Sequence, residues 1–319
     1  ALPREIEPSG DDLWPAIRAQ LKAGAPGHRG TAAPHLWRLP KLRIAALLSV
    51  LAVSAGALTL SRRAAGQWHL ADAGGGARRF AVGEELATGA GTALFTVGTI
   101  GEVDADAGTR VQLLAAGWSE HRLGLTRGTI HARINAPPRL FIVETPSGTA
   151  VDLGCEYTLE VDSLGNSRLV VTAGWVEFTE RGRTSLIPAG FSARAQRGIG
   201  IGTPVADDAP AALASAVRAL DDYAMANDSA LGVILAVARP RDAVTLWHLL
   251  NGWRGSVAQR RRVYDRLAAL VPPPPNAEYG AVYRDNWTMR LWWEKLPGTL
   301  PITPEWQRQL WTLWLRVVG

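Results

Sequence analysis

Between residues 66 and 202 the chain alternates short β-branched and apolar runs with glycine-bearing turns, and this punctuation restricts the fold more than any other feature. Runs at 80–86, 94–103, 110–114, 129–134, 140–144, 157–161, 168–172, 175–179 and 184–187 are too short for stable helices. Short strands at such intervals, each burying one face and separated by turn residues, predict an all-β unit: a meander, a sandwich, a barrel or a solenoid. Two turns have identifiable chemistry. Gly165-Asn166 and Arg181-Gly182 each separate two strand-like runs, and both contain residues that tolerate the positive φ of a tight hairpin.

Four short motifs follow one another inside this region. They are Phe141-Ile142-Val143-Glu144-Thr145-Pro146-Ser147-Gly148, then Val151-Asp152-Leu153-Gly154-Cys155-Glu156-Tyr157, then Val171-Thr172-Ala173-Gly174-Trp175-Val176, and last Ile187-Pro188-Ala189-Gly190. Their order and spacing resemble the FecR domain, over roughly residues 90–197. The resemblance implies a periplasmic β domain, held beyond an inner-membrane span, in proteins that act as transmembrane regulators of sigma factors. The motif glycines would then serve turns and close backbone approach. Cys155 stands where the family carries a threonine, and reads as a small buried residue. The chain departs from the family at its N-terminal end, where the zinc-binding, sigma-gripping helical unit would lie. Residues 1–43 contain no cysteine, and Asp12-Leu13-Trp14-Pro15-Ala16-Ile17 looks like the segment that follows that unit in some of these regulators.

Ahead of the β-rich part, residues 44–60 form a run of seventeen without a charge, bracketed by Lys41 and Arg43 before and by Arg62 and Arg63 after. At about 1.5 Å of rise per residue such a run covers most of a hydrocarbon core roughly 30 Å thick, which predicts a single transmembrane helix. Residues 1–43 then read as a short cytoplasmic tail with one amphipathic helix, in which Leu13, Ile17 and Leu21 share a face. Ala1 fits a start from which an initiator methionine has been trimmed. The basic residues flanking the run are balanced on its two sides and do not set orientation. The expected placement, with the tail cytoplasmic and the main domains periplasmic in a bacterial inner membrane, follows from that start and from the resemblance.

Beyond the β-rich part the period changes. Candidate helices at 211–223, 229–238, 243–250 and 257–270 follow the cap-type residues Asp208, Asp228, Asp242 and Ser256, and together they define a helical region over 208–271. Trp247, Leu250, Tyr264, Leu267 and Leu270 are expected in its core, with His248 packed rather than acting as a ligand. Residues 276–319 are dominated by tryptophan: of the chain's 13, six lie in the final 33 positions. That density predicts a docking or membrane-interface segment. The surface expected to meet a partner or the membrane comprises Trp14, Trp37, Trp287, Trp292, Trp293, Trp306, Leu310, Trp311, Leu313, Trp314 and Val317.

Composition narrows the function. The net charge of +5 is spread along the chain, which disfavours nucleic acid as a partner. A single cysteine excludes an intramolecular disulfide and a cysteine-cluster metal site. The 6 histidines form no ligand pair, and neither a phosphate loop nor a nucleophile–base–acid set is present, so no catalytic, cofactor or metal residue is assigned and the chain reads as non-enzymatic. The expected fold is mainly β with one transmembrane helix and a C-terminal helical region. Two functions fit. In the first, the protein is a membrane-anchored scaffold that docks on the bilayer and on subunits of a larger membrane complex, such as a photosynthetic reaction-centre and antenna assembly. In the second, it is an anti-sigma-type regulator whose partner is a sigma factor.

Overall fold

The computed structural model describes residues 66–71, 76–180, 182–222, 227–252, 255–283 and 286–296, all within one compact unit. Sixteen strands among them form two sheets that share one strand. The first sheet runs in the order β2 (Ala77–Phe80), β1 (Trp68–Ala71), β4 (Ala93–Val97), β5 (Gly101–Ala105), the second half of β7 (His121–Ile134), β10 (Glu156–Val161), β11 (Ser167–Ala173) and β14 (Phe191–Gln196). Two short strands, β15 (Gly200–Ile201) and β16 (Val205–Ala206), both pair with β14. The second sheet runs β3 (Glu85–Ala87), β6 (Arg110–Ala116), the first half of β7, β8 (Phe141–Thr145), β9 (Gly148–Asp152), β12 (Trp175–Glu180) and β13 (Arg183–Pro188). All pairings are antiparallel except that between β7 and β8.

Strand β7 changes sheets in mid-course. Its first half pairs with β6 and β8, and from Gly128 onward it pairs with β10 and β5. Gly128 has φ of 93°, and a Cβ there would lie 2.4 Å from the Cα of Thr109, so only glycine fits the crossing. The inner faces of the sheets meet in a common core. Trp68 of the first sheet stacks on Phe141 of the second at 6.1 Å between centroids, and its Nε1 donates to Nδ1 of the buried His121 at 2.9 Å. Burial of each large apolar side chain here contributes roughly 1.5–3 kcal/mol. The parallel contact and the shared strand make the unit a sandwich rather than a simple meander. Three sequence readings change in detail. The run 94–103 is a hairpin, β4 and β5, folded at Gly98 and Gly101; the run 80–86 is broken between β2 and β3; and β1, β9 and β14 are strands that lie outside the predicted runs.

A helical layer packs against the β12–β13 end of the second sheet. It comprises α1 (Ala211–Asp222), α2 (Asp228–Val237), a 3₁₀ turn (Pro240–Asp242), α3 (Ala243–Gly252), α4 (Val257–Leu270), α5 (Ala277–Tyr283) and α6 (Asn286–Trp293). Helix α4 starts with a reciprocal cap in which Ser256 Oγ accepts from Gln259 N and Gln259 Oε1 accepts from Ser256 N. Helix α2 is capped by Asn227 rather than Asp228, with Asn227 Oδ1 accepting from Ala230 N. Buried along eight consecutive residues from Ala243 to Leu250, α3 is the middle of the layer. Four side chains join helices to sheet. The ring of Trp293 lies 5.4 Å from Trp175 of β12, 4.7 Å from Trp247 and 5.6 Å from His248.

Two sequence expectations are corrected here. Trp292 and Trp293, expected on a docking or membrane surface, are core residues, with Trp292 wholly buried. Their apolar bulk fills the space between α4, α6 and β12, and Trp292 Nε1 donates to the carbonyl of Val271. The expected fold class included a transmembrane helix. Among the described residues no helix is long and apolar enough to cross a membrane, and the longest, α4, carries Arg260, Arg261 and Arg262. The architecture described is therefore a β sandwich with a helical layer. Residues 44–60 lie outside the described residues, as do Trp14, Trp37, Trp306, Leu310, Trp311, Leu313, Trp314 and Val317, and the side chain of Trp287.

Candidate functional site

A concavity lies where the free edge of β13 approaches β14, β15, the end of α1 and the end of α3. It is a cleft of about 710 Å³. Arg183 opens β13, Arg194 points outward from β14 and Arg218 stands on α1, all three solvent-exposed at the cleft. The acidic side chains of the cleft are turned to internal tasks. Asp221 accepts from Thr203 N at 2.8 Å and from Thr203 Oγ1 at 2.9 Å, which fastens α1 to the strand β15 region. Burial pushes its carboxyl above the usual carboxylate range, against the pull of the Thr203 donors and the Arg183 charge. Asp222 accepts from Gln196 Nε2.

His248 forms the back of the cleft. Its Nε2 lies 2.8 Å from the carbonyl oxygen of Leu186, so Nε2 carries the proton and Nδ1 faces the Ser185 hydroxyl at 3.5 Å. Burial lowers its pKa to about 4, and the ring is neutral at neutral pH. A second, smaller cavity of about 350 Å³ adjoins the first over Arg194 and Gln196 and extends to Arg168 and Glu160. Arg168 and Arg194 are direct cross-strand neighbours, so two cations face each other at the junction.

A separate buried group of polar side chains sits at the joint between β9 and β10. Asp152 Oδ1 accepts from Gly154 N at 2.6 Å, and its Oδ2 from Cys155 Sγ at 2.6 Å. Desolvation raises Asp152 to about 7 despite these donors, and it pushes the Cys155 thiol and the Tyr157 hydroxyl upward. Tyr157 Oη is buried without a hydrogen-bond partner among the described residues. Cys155 is free and buried, as a small core residue would be.

None of the residues assigned to a docking surface from sequence lines the cleft. Trp292 and Trp293 are in the core, and the remainder are not described. The cleft residues escaped sequence reading because Arg183, Arg194, Arg218 and His248 come from four elements and converge only through the fold. One linear signal was available: the glycine-rich, arginine-bearing stretch from Gly182 to Gly202, which packs small backbone corners beside long cations. Among the described residues no group of histidine, cysteine or carboxylate side chains has the geometry of a metal site.

No family profile matches the chain, and no curated protein matches it. Among solved structures, part of the fold is similar to a putative anti-sigma factor from Parabacteroides distasonis, seen in two crystal structures. One matches with 17% identity and a TM-score of 0.35, covering 42% of this chain and 63% of the other. The second matches with 16% identity and a TM-score of 0.30, covering 42% of this chain and 59% of the other. The matched part spans less than two thirds of the length of those chains.

Proposed function

We propose that this chain is a non-enzymatic signalling regulator of the anti-sigma type, with a FecR-like β domain as its sensing module. What carries the reading is the structural position of the motifs behind the FecR resemblance. Thr145-Pro146-Ser147-Gly148 is the turn between β8 and β9; Thr145 Oγ1 donates to the carbonyl of Gly148 at 2.8 Å, and Ser147 Oγ bonds Ser167 Oγ of the opposite sheet. Gly154 precedes β10, Gly174 joins β11 to β12, and Ala189-Gly190 leads into β14. The motifs therefore form the joints of one half of the sandwich, which is what a domain-defining pattern does. The competing scaffold reading relied on a tryptophan-rich docking surface, and two of its members, Trp292 and Trp293, are spent on the protein's own core.

The test is a transcription assay. The full chain is co-expressed in a heterologous bacterium with each alternative sigma factor of the source genome in turn, each driving its own reporter. The regulator reading expects the chain to change the output of one reporter and to co-purify with that sigma factor. Unchanged output from the whole set overturns it.

A further inference from the structure

We infer that the cleft beside β13 binds an acidic polypeptide segment in extended form, which pairs with the free edge of that strand. The inference deepens the regulator reading by naming the chemistry of a partner for the sensing module, and its test reads the cleft directly, so either can fail without the other.

The backbone supplies the first argument. β13 pairs only with β12, and it is the last strand of its sheet. Glu180 and Arg183 flank the hairpin loop, so the alternating bond pattern of an antiparallel pair puts Arg183, Ser185 and Ile187 in the bonded positions and turns the backbone groups of Thr184 and Leu186 outward. The Leu186 carbonyl accepts from His248 Nε2, which closes the inner part of the edge. The Thr184 N–H and C=O and the Leu186 N–H have no partner among the described residues, and Thr184 lines the cleft. That row of groups is a template for another strand.

Charge supplies the second argument. The carboxylates on the sandwich and the helical layer are largely paired with Arg122, Arg133, Arg139, Arg239, Arg241, Arg261 and Arg262, all away from the cleft. Arg183, Arg194 and Arg218 make no ion pair among the described residues. Asp221 and Asp222, the acids of the cleft, are bonded to Thr203 and Gln196. The cations of the cleft are therefore available to a carboxylate from outside, whereas the neighbouring Arg168 already has Glu160 directly across from it. At about 710 Å³ the cleft takes several residues of an extended chain, and the exposed Ile199 on its rim offers an apolar contact for the side chains between the acidic ones.

The experiment uses the full chain and a fluorescein-labelled synthetic peptide of about eight residues that alternates aspartate and valine. Three controls accompany it: a lysine–valine peptide, the acidic peptide with alternate backbone nitrogens methylated, and trisodium citrate as a free polyanion. Fluorescence anisotropy is expected to show saturable binding of the acidic peptide alone. The double variant Arg183→Glu/Arg194→Glu is expected to weaken it by about tenfold or more with an unchanged melting temperature, both side chains being exposed. In amide NMR spectra the Thr184 and Leu186 signals are expected to shift with the acidic peptide. Equal binding of the lysine peptide, or of the acidic peptide to the double variant, overturns the charge argument. Equal binding of the methylated peptide, or displacement by citrate at equimolar concentration, overturns strand pairing in favour of a simple anion site. No binding of the acidic peptide overturns the proposal outright.

Discussion

The outer face of the first sheet and the β12–β13 end of the second are made from similar strands and meet opposite fates. On the first sheet the outer face stays open and is laced by polar pairs: Arg133 reaches both Glu102 and Asp104, and His131 sits between Asp106 and the Thr158 hydroxyl. On the second sheet the helices cover the outer face at β12 and β13, and β12 is buried on both sides through Trp175, Val176, Glu177 and Phe178, while the outer side of β7 and β8 stays open around the Arg122–Glu144 pair. The difference shows where stability resides. Exposed ion pairs in water contribute little, whereas a sealed aromatic contact removes large apolar area from solvent. The sealed side also holds the charges that burial disturbs. Glu177 is raised above its ordinary carboxylate value by desolvation despite Arg139 at 3.2 Å, and His248 is held neutral.

This contrast can be broken most forcefully at its aromatic joint. Trp293→Ala, which removes the ring between Trp175, Trp247 and His248, is expected to cost about 3–5 kcal/mol in urea denaturation. A loss below 1 kcal/mol would mean that the helical layer is not sealed by that ring. Next in size is Gly174→Ala, at the joint that carries the chain from the first sheet to the second. Gly174 has φ of 70°, and a Cβ would lie 2.3 Å from the carbonyl oxygen of Gly154, so the variant is expected to lose roughly 2–4 kcal/mol in the same assay.

A smaller effect separates the interior by pH. Asp152 has a folded pKa of about 7 against an ordinary 3.8, so the folded form keeps its proton where the unfolded form has lost it. Its contribution is full below the ordinary value and is lost as pH rises through about 7. His248 has the opposite sign: its folded pKa of about 4 lies below 6.5, and its contribution is present above 6.5 and lost as pH falls toward 4. Asp152→Asn removes only the first of these, and its melting temperature relative to the parent is expected to improve as pH rises from about 5 to about 8. Parallel curves for parent and variant would show that Asp152 titrates normally. The smallest effect belongs to the open face, where Arg133→Ala is expected to leave the denaturation midpoint unchanged; a large drop there would erase the contrast between the faces.

Much of the sandwich was legible from period-two alternation, because strands such as β10 and β11 expose one face and bury the other. The sharing of β7 was not. Alternation reads the same whichever sheet a strand joins, and the bend is marked only by Gly128 among many turn glycines. At the tryptophan-rich end, density pointed to a surface while spacing pointed inward. Met289, Trp292, Trp293 and Leu296 recur at three- and four-residue intervals and are all buried, and that helical period was the better guide. Beyond the glycine-rich stretch from Gly182 to Gly202 the cleft left no mark in the sequence, because its arginines are isolated, each resembling a solvated surface cation. The apolar run at 44–60 predicts a span on length and lack of charge, and it lies outside the described residues, among which no helix is long and apolar enough to cross a membrane.

The shared strand also bears on how the domain comes apart. A sandwich of two independent sheets can lose one and keep the other, but here each sheet needs half of a single continuous segment, β7, as an interior member. Detaching either half unzips neighbours on both sides of it, from β5 and β10 in one sheet to β6 and β8 in the other. The sandwich is thus expected to open as one cooperative unit, with the β7 amides that pair on both sides, such as those of Leu123 and Ile130, among the slowest to exchange with solvent.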